Sequence, residues 1–160
     1  MKQKQKTTMK KILLTITTIF VFAQLFSCLK PPKFSETPLI EFVSINSTQV
    51  QQQVDSIQMI ISFKDGDGDL GSLESDTSTN CFITDHRPGK PDYTYTYKIP
   101  FITPKGTTKD ISGTIAINLP GITCIPFHTT DSVTYKIVIM DRAGNKSNEV
   151  QTPVIIVNCQ

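Results

Sequence analysis

After Phe63 the chain reads Lys64-Asp65-Gly66-Asp67-Gly68-Asp69-Leu70-Gly71-Ser72-Leu73-Glu74-Ser75-Asp76. Five carboxylates in the twelve residues 65–76 repel one another unless a positive charge sits among them. Ca²⁺ is a hard cation that takes roughly six to eight oxygen ligands at about 2.3–2.6 Å. Acids at every second position, with glycine between, let a tight loop turn several oxygens towards one point. Asp65, Asp67 and Asp69 are therefore candidate ligands, and calcium is the candidate cofactor. A plainer reading stands beside this one: Asp-Gly pairs are strong hairpin formers, so a solvated turn would use the same residues.

The loop is not an EF-hand, because Leu70 occupies the position of the required turn glycine and the flanks read as strands. Catalytic patterns are missing. His86 and His128 are the two histidines, and neither lies in a His-Glu-x-x-His, Gly-x-Ser-x-Gly or phosphate-cradling arrangement. Asp85-His86 beside a serine would form a triad only by accident of folding. Paired carboxylates for glycoside hydrolysis could hide in the acidic loop, yet its self-repulsion favours a cation. The chain is expected not to be an enzyme and to have no catalytic residues.

The elements that must position the acidic loop read as strands. From residue 39 onward, short β-branched and aromatic runs are separated by Gly, Pro, Asn and Asp, an all-β pattern. Strands are expected at 39–46, 54–63, 80–86, 93–100, 111–118, 132–140 and 149–158. Ile57, Met59, Ile61 and Phe63 mark one inward face, and Val133, Tyr135, Ile137 and Ile139 another. Ile111, Ile115, Ile117 and Leu119 share a face, as do Tyr93, Tyr95, Tyr97 and Ile99. The tyrosine stripe is expected in the core rather than on a ligand platform. Period two with one apolar face needs a second layer to cover it, hence a two-sheet sandwich. Gln51-Gln52-Gln53 reads as a polar turn.

Seven strands in about 120 residues is the size of an immunoglobulin-like or fibronectin III-like sandwich. The C-terminal part resembles that class most closely. Asp131-Ser132-Val133-Thr134-Tyr135 looks like a tyrosine corner, whose hydroxyl satisfies a nearby backbone group. Asp141-Arg142-Ala143-Gly144-Asn145-Lys146-Ser147 resembles the turn between the sixth and seventh strands of bacterial immunoglobulin-like modules. The sequence departs from antibody-type domains in having no Trp. The resemblance puts that turn at the same end as the acidic loop, so Asp141 and Asn145 would join Asp65, Asp67 and Asp69 in a composite metal site. On the same topology Cys124 and Cys159 meet at the opposite end as a disulfide, with Cys81 buried or free. Three reduced thiols are the alternative.

The first 27 residues read as an export segment. Lys2, Lys4, Lys6, Lys10 and Lys11 precede a mostly apolar run at 12–26 that is too short for a stable membrane anchor. Leu25-Phe26-Ser27-Cys28 resembles the lipobox of bacterial lipoproteins, with Phe26 a departure from the small residue usual there. Cys28 is the expected lipidation site. Met9-Lys10-Lys11 is itself a normal signal-peptide beginning, which makes Met9 an alternative start. Removing five lysines leaves 11 basic and 14 acidic residues, a net charge of −3. No Lys/Arg cluster interleaved with aromatics remains, so no nucleic-acid partner is expected. The expected organisation is a signal peptide at 1–27, a lipidated Cys and Pro-rich tether at 28–38, and a β-sandwich at 39–160. Together the export segment, the stretch 60–71 and the Asp141 turn resemble small Bacteroidetes-type lipoproteins.

These readings imply a non-catalytic binding module, anchored in the outer membrane by its lipid and exposed to an oxidising compartment. The residues after Cys28 lack the acidic run that resembles a surface-export signal, which favours the periplasmic face over the cell surface. A protein or glycan partner would meet the loops at the acidic end, including 102–109. The alternatives are a structural or assembly subunit of an envelope complex and, behind it, a hydrolase.

Overall fold

The computed structural model describes residues 34–102 and 110–160. The export segment, Cys28, residues 28–33 of the tether and residues 103–109 of the expected contact loop lie outside the described residues. Those described form nine strands and no helix. In chain order they are β1 (Leu39–Ile45), β2 (Gln49–Gln51), β3 (Ile57–Asp65), β4 (Cys81–His86), β5 (Tyr93–Tyr97), β6 (Ile111–Leu119), β7 (Thr130–Ile139), β8 (Val150–Gln151) and β9 (Ile155–Asn158). One sheet has the order β1-β3-β6; the other runs β2-β9-β7-β4-β5, with β8 also on β7. All pairs are antiparallel except β2 with β9.

Alternation explains how the two sheets close on each other. Ile57, Met59, Ile61 and Phe63 of β3 are buried, as are Val133, Tyr135, Ile137 and Ile139 of β7. Ile40, Ile83, Ile117, Leu119, Ile155 and Val157 complete the core. Each fully buried aliphatic side chain contributes roughly 1.5–3 kcal/mol relative to exposure. Odd-numbered residues of β3 therefore lock its register, since a one-residue slip would send the whole apolar set to solvent.

The described residues form nine strands where seven are expected. β2 contains one buried apolar residue, Val50, too short a run to carry a period. The last expected strand divides at Thr152-Pro153, because proline has no N–H for the ladder. There Thr152 Oγ1 accepts from the Tyr135 amide at 3.0 Å and the Thr152 amide donates to the Tyr135 carbonyl at 3.0 Å.

The tyrosine stripe is corrected more sharply. Tyr93 and Tyr95 are 61% and 37% exposed, and only Ile99 of that set is fully buried. Their cross-strand partners Asp85 and Ile83 are buried, so the stripe lies on the inner face. It stands on the outermost strand of the wider sheet, where Tyr97 still packs against the core while Tyr93 and Tyr95 reach solvent. Tyr135 also departs from a tyrosine corner: its buried phenol lies beside Asp85 and Arg87, with no backbone partner for the hydroxyl among the described residues.

Three elements converge where the acidic loop begins. β3 ends at Asp65, β1 starts opposite Lys64, and Asp141 follows β7 with Met140 between. Asn80 knits this end together. Its Oδ1 accepts from the Ile99 amide at 2.6 Å, its Nδ2 donates to Ser72 Oγ at 3.0 Å, and its carbonyl accepts from the Met140 amide at 2.8 Å. At the far end, Cys124 and Cys159 are bridged with Cα atoms 5.9 Å apart. Cys81 is buried in the core, and burial pushes its thiol up to about 12.

Candidate metal centre

The acidic loop is pinned from inside and from outside. Leu70 is fully buried and plugs the loop into the core, which is why the EF-hand turn glycine is not at this position. Gly66 and Gly71 are fixed by close approach: a Cβ on Gly66 would strike the carbonyl oxygens of Phe34 and Ser35, and one on Gly71 that of Pro100. Gly71 also has φ +86°, a backbone region that favours glycine.

Asp65, Asp69 and Asp141 each offer a carboxylate oxygen within 4.8 Å of the others. Asp65 is fully buried and Asp141 is 4% exposed. Asp65 Oδ2 accepts from the Asp69 amide at 3.0 Å, and Asp69 Oδ2 accepts from the Ala143 amide at 3.0 Å. The other oxygens, Asp65 Oδ1 and Asp69 Oδ1, are buried with no hydrogen-bond partner, as is Asp67 Oδ1. Burial and the neighbouring charges of Asp67 and Asp69 push the Asp65 carboxyl up to about 6. Burial, then Asp141 and Asp67, push Asp69 up to about 6.

A buried acceptor without a donor costs about 1–3 kcal/mol, more when charged. Natural interiors pair such groups with protons, side chains or metal ions. Arg142 is the nearby cation, but its guanidinium donates to carbonyl oxygens: Gly71 at 2.8 Å, Leu70 at 3.3 Å and Gly68 at 3.5 Å. It also stacks 4.7 Å above the Phe101 ring. Thus Arg142 braces the loop backbone and leaves the inward oxygens unpaired. One buried acidic cluster, Asp65 with Asp69 and Asp141, could hold a metal ion.

The sequence-expected residues divide by position. Asp65, Asp69 and Asp141 come together. Asp67 lies beside them with its inward oxygen orphaned. Asn145 acts on Asp141: its amide donates to Asp141 Oδ1 at 2.7 Å and its Nδ2 to Asp141 Oδ2 at 2.8 Å. This places Asn145 as a clamp on a carboxylate. Arg142 and the Ala143 amide escaped sequence reading, although both belong to the turn singled out there.

A second buried charged group lies at the other end. Arg87 bonds Asp85 through Nε and Nη2, both at 2.8 Å, and Asp131 through Nη1 at 2.6 Å. Burial works against ionisation of Asp131, but Arg87 and the Ile125 and Ser132 amides outweigh it and hold the carboxyl below its ordinary value. These carboxylates are satisfied, whereas the three inward oxygens of the acidic loop are not. The sequence clue was Asp85 itself, which falls in phase with buried Cys81 and Ile83.

No protein-family model, curated protein or solved structure matches the chain.

Proposed function

We propose that this chain is an extracytoplasmic lipoprotein, anchored through Cys28, whose non-catalytic β-sandwich is a binding module stiffened by calcium at one end. The observation that carries the reading is the set of buried, unpartnered oxygens on Asp65, Asp67 and Asp69 facing Asp141 across two loops. An all-oxygen donor set suits a hard cation, and a loop-built cage suits the variable geometry of Ca²⁺ better than the strict octahedron of Mg²⁺. With Asp65 and Asp141 buried and Asp69 half-buried, the ion would be structural, holding the 65–71 loop against the 141–145 turn. The sheet orders β1-β3-β6 and β5-β4-β7-β9 support a fibronectin III-like arrangement. The Cys124–Cys159 bridge accords with an oxidising compartment, the outer membrane facing the periplasm.

A protein or glycan partner is favoured by the exposed Tyr93 and Tyr95 on the edge strand. Their rings meet edge-to-face at 4.8 Å, and Tyr95 lines a recess of about 170 Å³ with Tyr97, Tyr135, Arg87 and residues 119–123. The second reading, an assembly subunit of an envelope complex, is favoured by Phe127. It is fully exposed with φ +70° at a loop tip, a strained setting for an aromatic unless something covers it. Calcium titration by calorimetry tests the first half of the proposal, with one site expected. Labelled palmitate tests the second: Cys28→Ala should abolish incorporation, and an unlabelled wild type would refute the anchor.

A further inference from the structure

The segment 34–40, a strap that runs into β1, lies across the acidic loop. The Gly66 amide, between Asp65 and Asp67, donates to the Ser35 carbonyl at 2.8 Å. There is no room there for a Cβ, so strap and loop are in backbone contact. The Phe34 amide donates to Asp110 Oδ1 at 3.2 Å. Two residues into β1, Ile40 is gripped on both backbone groups by the Asn148 side chain: its amide donates to Oδ1 at 2.8 Å and its carbonyl accepts from Nδ2 at 2.9 Å. Asn148 closes the connection that starts at Asp141. The strap is therefore held by the same two loops whose carboxylates face each other in the candidate metal centre.

We infer that ion occupancy of the Asp65, Asp69 and Asp141 cluster governs whether the N-terminal strap is seated on the domain. The inference rests on the calcium reading and adds its regulatory consequence. With an ion in place, the 65–71 loop and the 141–148 connection are drawn together, and Gly66 and Asn148 hold the strap between them. Without it, the unpaired carboxylates repel against the Arg142 and Ala143 contacts that tie the loops, and both strap contacts loosen together. The pairing of Ile83 with Ile137 between β4 and β7 is unaffected, because neither residue belongs to the two loops or to the strap.

Amide hydrogen exchange on the full chain, read by NMR in calcium and in EDTA beside a calorimetric calcium titration, tests this. The Phe34, Ile40 and Gly66 amides are expected to exchange at least tenfold faster in EDTA, with Ile83 and Ile137 unchanged. A binding heat with no change at the three strap amides would overturn the coupling and leave the calcium reading standing. The absence of any binding heat would overturn both. Asn148→Ala touches no carboxylate. It should keep the calcium heat and lose the calcium-dependent slowing at Phe34; slowing that persisted would overturn the joint grip of the two loops, since the Gly66 contact alone would then seat the strap.

Discussion

Replacing Asp65 by asparagine separates a metal ligand from a structural carboxylate by the sign of its effect. Asp65 is fully buried with Oδ1 unpaired, and its carboxyl is pushed from 3.8 up to about 6. Holding it ionised at neutral pH therefore costs the ion-free fold about 3 kcal/mol, at 1.36 kcal/mol for each pKa unit. Asparagine is nearly isosteric, and its Oδ1 can keep the bond from the Asp69 amide. It should recover on the order of 1–3 kcal/mol of that cost. For a domain of this size the gain is a rise in Tm of roughly 5–10 °C in EDTA. In calcium at a hundredfold excess over Kd the wild type gains about 2.7 kcal/mol, while the variant, short of one ligand charge, gains far less. The two proteins should thus exchange rank in scanning calorimetry: Asp65→Asn melts higher in EDTA and lower, or no higher, in calcium. A variant that melts below wild type by the same margin in both buffers would refute the reasoning, since Asp65 would then be a structural acceptor.

Three other outcomes follow from the same geometry. The folded-state carboxyls of Asp65 and Asp69 lie above the ordinary 3.8, so the stability they contribute is fully present below about pH 4. It is lost as pH rises through about 6; Tm in EDTA should fall across that interval, and calcium should oppose the fall. Cys124 and Cys159, 35 residues apart, should on a chain-entropy account contribute about 3–4 kcal/mol, read as a lower denaturant midpoint in the paired serine variant. Arg87→Ala leaves Asp85 and Asp131 buried without their cation and should lose about 3–5 kcal/mol; a loss below 1 kcal/mol in urea unfolding would show that solvent reaches the pair.

Much of the architecture was legible because alternation is a local signal. β3 and β7 could be read from Ile57-Met59-Ile61-Phe63 and Val133-Tyr135-Ile137-Ile139, and both sets are buried. The same signal misled at Tyr93 and Tyr95. Period two identifies a face but not whether the opposite sheet extends far enough to cover it, and β5 is the outermost strand, where Tyr93 and Tyr95 reach solvent. β2 has three residues and its Gln-Val-Gln sequence carries no period. At the candidate site, the spacing of Asp65, Asp67 and Asp69 was visible along the chain, whereas Asp141 could be added only through a topology. Asn145 shows what neither level supplies: its residue type suits a ligand, yet the folded turn aims its nitrogen at Asp141. The Arg87 network depends on partners 44 residues apart in sequence, a separation that no local pattern reports.

The most direct measurement of the central claim is an anomalous difference map from crystals grown in calcium. A single peak is expected among Asp65, Asp69 and Asp141, with roughly six to eight oxygens at about 2.3–2.6 Å. A map without that peak, with the carboxyl groups hydrogen-bonded to one another as shared protons require, would contradict it.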